Sequence, residues 1–174
     1  MSGSTGAGPA FDDLVEAMDG AMVVVTTAAA GERNGCLVGF HCQCSIEPRR
    51  HAVWLSVANR TAALAAHATH LAVHLLTQAD HDLAERFGGQ SGDDVDKLAG
   101  LDWSEGPGGV PLLARLPNRF VGRIKDAIPD TGDHQLYVLD VVGAEVAAGP
   151  GGSDLLRLRA ASHIEPGHEA DERR

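Results

Sequence analysis

Basic residues are scarce: 14 Lys and Arg face 24 Asp and Glu, a formal net charge of −10. Nucleic acid and anionic lipid are recognised through a basic face that displaces counterions, so this balance argues against both as partners. Cysteines number three, Cys36, Cys42 and Cys44, an odd set crowded into one segment, and the chain opens without the basic, apolar and small-residue sections of a secretion signal. The expectation is a reducing, cytoplasmic setting. No run approaches the roughly 18 apolar residues a membrane helix needs. Phosphate-binding signatures are missing too: there is no G-x-x-x-x-G-K-[ST], and no G-x-G-x-x-G between a strand and a helix.

Core-forming material is ample, with 44% hydrophobic and 22% charged residues in 174, enough for one domain. Residues 1–10 and 165–174 are small, polar or charged and read as disordered tails around a domain at 11–164. Phe11, Leu14, Val15 and Met18 recur with helical spacing and predict a short packing helix ended by Gly20. Strands are expected at 21–27, 51–57 and 71–77, all short and rich in β-branched residues, and one strand or a strand pair at 34–46. Two longer strands, 118–128 and 134–146, flank the turn-forming Pro129-Asp130-Thr131-Gly132-Asp133. Helical stretches at 61–67, 80–87 and 93–99 are too few and too short for a doubly wound sheet, which leaves an antiparallel β-barrel with peripheral helices. The Gly-rich 104–111 reads as a loop.

Chemistry is less plainly written. Asn59-Arg60-Thr61 joins a strand to a helix, where it serves either as an ordinary cap beside a surface arginine or as a phosphate-holding corner. His67, His70 and His74 share a face only if the helix continues through a strand-forming segment, so separate histidines are the simpler reading, and no metal is assigned. His41, Cys42 and Cys44 do not match a common structural zinc spacing. Asp133-His134 lies at a strand mouth, either a solvated turn or an imidazole presented to a ligand. Trp54 and Trp103 read as core or interface aromatics.

Taken in order, these pieces resemble a known family. Val25-Thr26-Thr27, Asn34-Gly35, Cys44-Ser45-Ile46-Glu47-Pro48 and Ser56-Val57-Ala58-Asn59-Arg60-Thr61 are followed by Leu71-Ala72-Val73-His74-Leu75-Leu76, Gln78 and Leu83-Ala84-Glu85-Arg86-Phe87. Asp96-Lys97-Leu98, Trp103, Gly109-Val110-Pro111-Leu112-Leu113 and Gly132-Asp133-His134 complete the set. Over residues 11–146 the succession is similar to the flavin reductase-like family of FMN-binding split barrels. Gly39-Phe40, Arg49 and His74 depart from the family pattern.

The resemblance implies a mostly β fold, a six-stranded antiparallel split barrel of Greek-key type with short peripheral helices, usually a homodimer. It implies FMN or FAD at the subunit boundary, reduced by NADH or NADPH, with reduced flavin passed in many members to a flavin-dependent monooxygenase. Asn59, Arg60 and Thr61 would then hold the flavin phosphate. Cys42, Gln43, Cys44 and Ser45 would line the ring and ribityl chain, Thr26 and Thr27 would make lesser contacts, and His134 would stand by the nicotinamide or flavin as the catalytic candidate. The hard chemistry belongs to the cofactor, so no acid–base dyad is required. A non-catalytic flavin carrier on the same barrel is the alternative, and a metal enzyme built on the histidines is a third class.

Overall fold

The structure, a computed structural model, describes residues 7–147 and 154–167. Helix α1 (Ala7–Met18) leads into strands β1 (Val23–Ala29), β2 (Glu32–Val38), β3 (His41–Ser45) and β4 (Arg50–Ser56). Helix α2 (Arg60–Ala65), strand β5 (His70–Leu75) and helix α3 (His81–Gly88) follow. A small hairpin, β6 (Trp103–Glu105) and β7 (Pro111–Leu113), precedes the long strands β8 (Arg119–Ile128) and β9 (His134–Glu145), and α4 (Leu158–Ala161) comes last. None of the described helices is long and apolar enough to cross a membrane.

Seven strands form one antiparallel sheet in the order β2-β1-β5-β8-β9-β4-β3. Its two edges, β2 and β3, are consecutive in the chain and joined only by Gly39 and Phe40. A link of that length spans at most about 11 Å, so the sheet must curl until its edges meet. This is the barrel the sequence implies, with seven strands instead of six. The extra strand is β3, because the 34–46 segment breaks at Gly39-Phe40 into two strands that lie on opposite edges of the sheet.

Strand β1 shows why the core lies where it does. Val23 and Val25 point into the barrel against Val53, Leu55, Leu71 and Tyr137, whereas Val24 points outward against Leu83, Phe87 and Leu156. Both faces are buried, which a continuous β-branched run allows and an alternating strand would not. The β1–β2 turn, Ala30-Gly31, has φ of 50° and 80°, the mirror-image turn that suits a two-residue hairpin.

Three expectations need correction. Residues 93–99 are turns, not a helix. Asp96 Oδ1 accepts from Leu98 N at 2.9 Å, an aspartate competing with the helical hydrogen-bond pattern. The 104–111 loop does turn the chain, but as the tip of the β6–β7 hairpin, whose strands the sequence reading passed over. Helix α1 begins at Ala7, earlier than its apolar spacing indicated, and does not behave as a packing helix within this chain: Phe11, Leu14 and Met18 are exposed.

Candidate functional site

A cleft of about 380 Å³ opens at the barrel seam. One wall is the end of β2 with its link, Cys36 to Phe40; another is Trp54 and Ser56 at the end of β4 with Val57 and Asn59 beyond it. Asp133 and His134 at the start of β9 form a third side, and Phe87, Leu158, Ile164 and Pro166 close the fourth. An apolar, partly aromatic surface with a few convergent polar groups is the usual composition of a small-molecule site.

Backbone pairing sets the polar groups in place. Ser56 and His134 are directly opposed between β4 and β9, and Val57 N donates to Asp133 O at 3.0 Å. The Nδ1 atom of His134 lies 2.6 Å from Asp133 Oδ1, and its ring leans on Phe40 with centroids 4.9 Å apart. That hydrogen bond to His134 holds the Asp133 carboxyl below its ordinary range. With Nδ1–H given to Asp133, the neutral ring keeps Nε2 as an acceptor, and protonation turns it into a donor.

The Asn59-Arg60-Thr61 corner is built as a cap. Asn59 Oδ1 accepts from Thr61 N at 3.0 Å, satisfying one of the free N–H groups at the start of α2. Arg60 turns away from the cleft to pair with Glu32 and, at 3.8 Å, with Asp93. Thr61 is fully buried, and its hydroxyl sits against the Cys36 thiol.

The remaining sequence candidates lie elsewhere. Thr26 Oγ1 donates to Pro111 O at 2.6 Å and Thr27 Oγ1 to His70 O at 3.0 Å, so both hydroxyls are spent inside the fold. Cys42 and Cys44 are exposed on β3, and Gln43 Nε2 donates to Ser45 O at 3.2 Å; these four residues do not line the cleft. Thus the structure brings Asn59 and His134 together at the cleft, with Arg60 and Thr61 behind it. Phe40, Trp54 and Ser56 line the site without having been singled out for it. The signal available is position: Phe40 lies in the link between two strands, and Trp54 and Ser56 lie in the last half of β4, toward the opening of the barrel.

The histidines do not form the metal face considered from sequence. His74 is buried, with Nδ1 at 3.2 Å from Val24 O and Nε2 accepting from Leu113 N, while His70 bonds Thr69 on the exposed side. His41 Nδ1 lies 3.0 Å from His51 Nε2, and His41 Nε2 contacts Ala21 O at 2.8 Å, so His41 is held by backbone and imidazole and not by the neighbouring cysteines.

A match to the flavin reductase like domain runs over residues 15–163. The chain belongs to that family. Among curated proteins, the reductase subunit Stc3 of stachydrine N-demethylase from Rhizobium meliloti (strain 1021) is 28% identical over 129 residues, covering 72% of this chain and 54% of that protein. The reductase subunit HsaB of a flavin-dependent monooxygenase from Rhodococcus jostii (strain RHA1) is 30% identical over 105 residues, covering 58% and 52%. The chain therefore spans about half the length of these relatives. A crystal structure of an FMN-binding protein from Thermus thermophilus with bound 1-cyclohex-2-enone superposes with a TM-score of 0.66 at 25% identity, covering 72% of this chain and 69% of that one.

Proposed function

We propose that this chain is a flavin reductase, holding FMN or FAD in the seam cleft and using NADH or NADPH as the electron donor. The observation that carries the reading is that, in a member of the flavin reductase like family, Trp54, Phe40, Asn59 and the Asp133–His134 pair converge on one cleft. The residues suit the cofactor. Trp54 and Phe40 offer aromatic surface to a planar ring, and Ser56, Asn59 and His134 offer polar groups at its margin. The Arg60 guanidinium supplies donors behind the same corner. Among the described residues Arg60 is held by exposed ion pairs, worth about 0–1 kcal/mol each, so a phosphate could recruit it at little cost.

A bound flavin supplies the two-electron acceptor for a nicotinamide hydride, which leaves the chain to bind, orient and keep water out. Val38, Phe87 and Ile164 give the cleft apolar walls, against which a bound ring would be shielded from water. His134, with its ring fixed by Asp133, gives or accepts a hydrogen bond at the cleft mouth.

Two further points belong to this reading. The exposed Phe11, Leu14 and Met18 of α1 support a homodimer, in which a second copy covers the stripe. The reductase subunits among its relatives support a monooxygenase partner that receives reduced flavin. The test is an absorbance titration with FMN and FAD, followed by NADH or NADPH under nitrogen. Saturable binding and bleaching of the flavin band are expected. Failure to bind flavin ends the proposal, and binding without reduction identifies a carrier.

A further inference from the structure

On α3, His81 and Glu85 stand one helical turn apart, and His163 reaches them from the segment after α4. One ligand atom from each, two imidazole nitrogens and a carboxylate oxygen, lies within 4.8 Å of the others. His163 Nε2 is 3.4 Å and His81 Nδ1 is 3.8 Å from the same oxygen, Glu85 Oε1. The two rings stack with centroids 4.9 Å apart and planes at 15°.

The orientation of His81 is set from outside the cluster. Its Nε2 lies 2.8 Å from the carbonyl of Ala160, so the neutral ring donates there and directs the Nδ1 lone pair toward Glu85 and His163. Metal-ligating histidines are held in this way, the second nitrogen donating to a carbonyl or carboxylate that fixes the tautomer. Ligand atoms around a tetrahedral zinc ion sit about 3.3 Å apart, a spacing the His163–Glu85 pair already has; the stacked His81 and His163 rings must turn out of their stack for both lone pairs to meet at one ion. Beside the cluster lies an open depression lined also by Asp82 and Glu165, leaving room for water in a fourth position.

We propose that His81, Glu85 and His163 form a binding site for a divalent transition metal, of which Zn²⁺ is the fitting example, and that the bound ion fastens the C-terminal segment to α3. Two imidazoles with one carboxylate favour Zn²⁺ over Mg²⁺ or Ca²⁺, which prefer all-oxygen shells. The consequence reaches the cleft. The segment that carries His163 also supplies Leu158, Ile164 and Pro166 to the cleft wall. Ala160 and His163 on this segment both engage α3 side chains, so an ion there closes a clasp between residues 81 and 163.

The experiment uses full-length, tag-free protein without added flavin, so that its failure leaves the reductase reading untouched. Co²⁺ is titrated and its visible absorption followed, then Zn²⁺ is added in competition, with Mg²⁺ and Ca²⁺ as controls. One equivalent of Co²⁺, displaced by Zn²⁺, is expected. His81→Ala, Glu85→Gln and His163→Ala should each weaken binding by at least about tenfold, while His67→Ala, an exposed histidine elsewhere, stays within about twofold of wild type. Zn²⁺ should also slow tryptic cleavage at Arg157 and Arg159 in the wild type and not in His163→Ala. Glu85 and His163 are exposed, and circular dichroism verifies that their variants fold. Any other binding pattern overturns the site, including wild-type protein that takes up no stoichiometric metal or variants that bind as it does. Cleavage indifferent to Zn²⁺ overturns the clasp.

Discussion

Leu113 N donates to His74 Nε2 at 3.2 Å, tying β7 to β5 through a ring that is fully buried. The other ring nitrogen faces Val24 O on β1. One side chain thus joins three strands, and as a neutral imidazole it satisfies a donor and an acceptor at once.

That arrangement predicts a pH dependence. Burial pushes His74 down to about 4, and burial together with its neighbour His41 pushes His51 to about 4. In the unfolded chain both protonate near the ordinary value of 6.5. Between those limits the unfolded chain binds more protons, so stability is complete above pH 6.5 and falls as the pH drops toward 4. His74 alone contributes a slope of at most about 1.4 kcal/mol per pH unit. His74→Leu should be less stable at neutral pH, because it strands Leu113 N and Val24 O, yet its urea midpoint should vary less across this window. An equally steep profile in the variant would remove His74 as the titrating group.

Thiol reactivity should divide the cysteines. Cys36 is buried, and burial raises it to about 11 against the opposing influence of Thr61 and Lys97. It should remain an unreactive thiol in the native state. Titration with a chromogenic disulfide should count two fast thiols, Cys42 and Cys44, and a third only on unfolding. Three fast thiols would mean that the β2 wall of the cleft opens readily.

Lys97 is 3% exposed and donates from Nζ to Gly35 O at 3.2 Å and Phe87 O at 2.9 Å, with its pKa lowered chiefly by desolvation. Lys97→Met keeps the length of the stem and removes both donations. A loss of about 1–3 kcal/mol in stability is expected from the stranded carbonyls, measured by urea unfolding at neutral pH.

At the cleft, Trp54→Ala should raise the flavin dissociation constant about tenfold, the equivalent of about 1.4 kcal/mol of lost aromatic contact. Arg60→Ala should weaken FMN binding more than riboflavin binding, since a phosphate is the group it would meet. Fluorescence titration with the two ligands decides this, and equal losses would place Arg60 in a purely structural pairing with Glu32.

Oligomeric state tests the exposed stripe of α1. Phe11→Asp combined with Leu14→Asp should shift a dimer toward monomer in light scattering without unfolding the barrel, because neither side chain packs in the described cores. An unchanged mass would leave α1 without that role.

Much of the barrel is legible in the sequence because its strands are short β-branched runs, as in Val23 to Val25, and its long hairpin is marked by Pro129 and Gly132. The fold family is legible only through the ordered set of motifs. What escapes is decided by contacts far apart in the chain. Nothing local to Trp54 or Phe40 says that they share a cleft with His134, and nothing local to Ile164 says that it reaches β2. Thr26 and Thr27 carry a motif, yet their hydroxyls go to Pro111 and His70, partners invisible from strand pattern. Asp96 reads as helix-compatible by position, and only its carboxylate, turned back onto Leu98 N, shows why a turn forms instead.

The two-residue link at Gly39-Phe40 has a bearing on how this pocket can vary. It is both the link that draws the two edge strands, β2 and β3, together and part of the wall against which a ligand would rest. Lengthening it would loosen the closure of the whole sheet, so the pocket's dimensions are not free to change there by insertion. Diversity of ligand choice must instead arise from exchanging side chains at Phe40, Trp54 and Ser56, or from remodelling the C-terminal segment past Leu158, beyond the backbone bonds that pin residues 155–158 to the barrel.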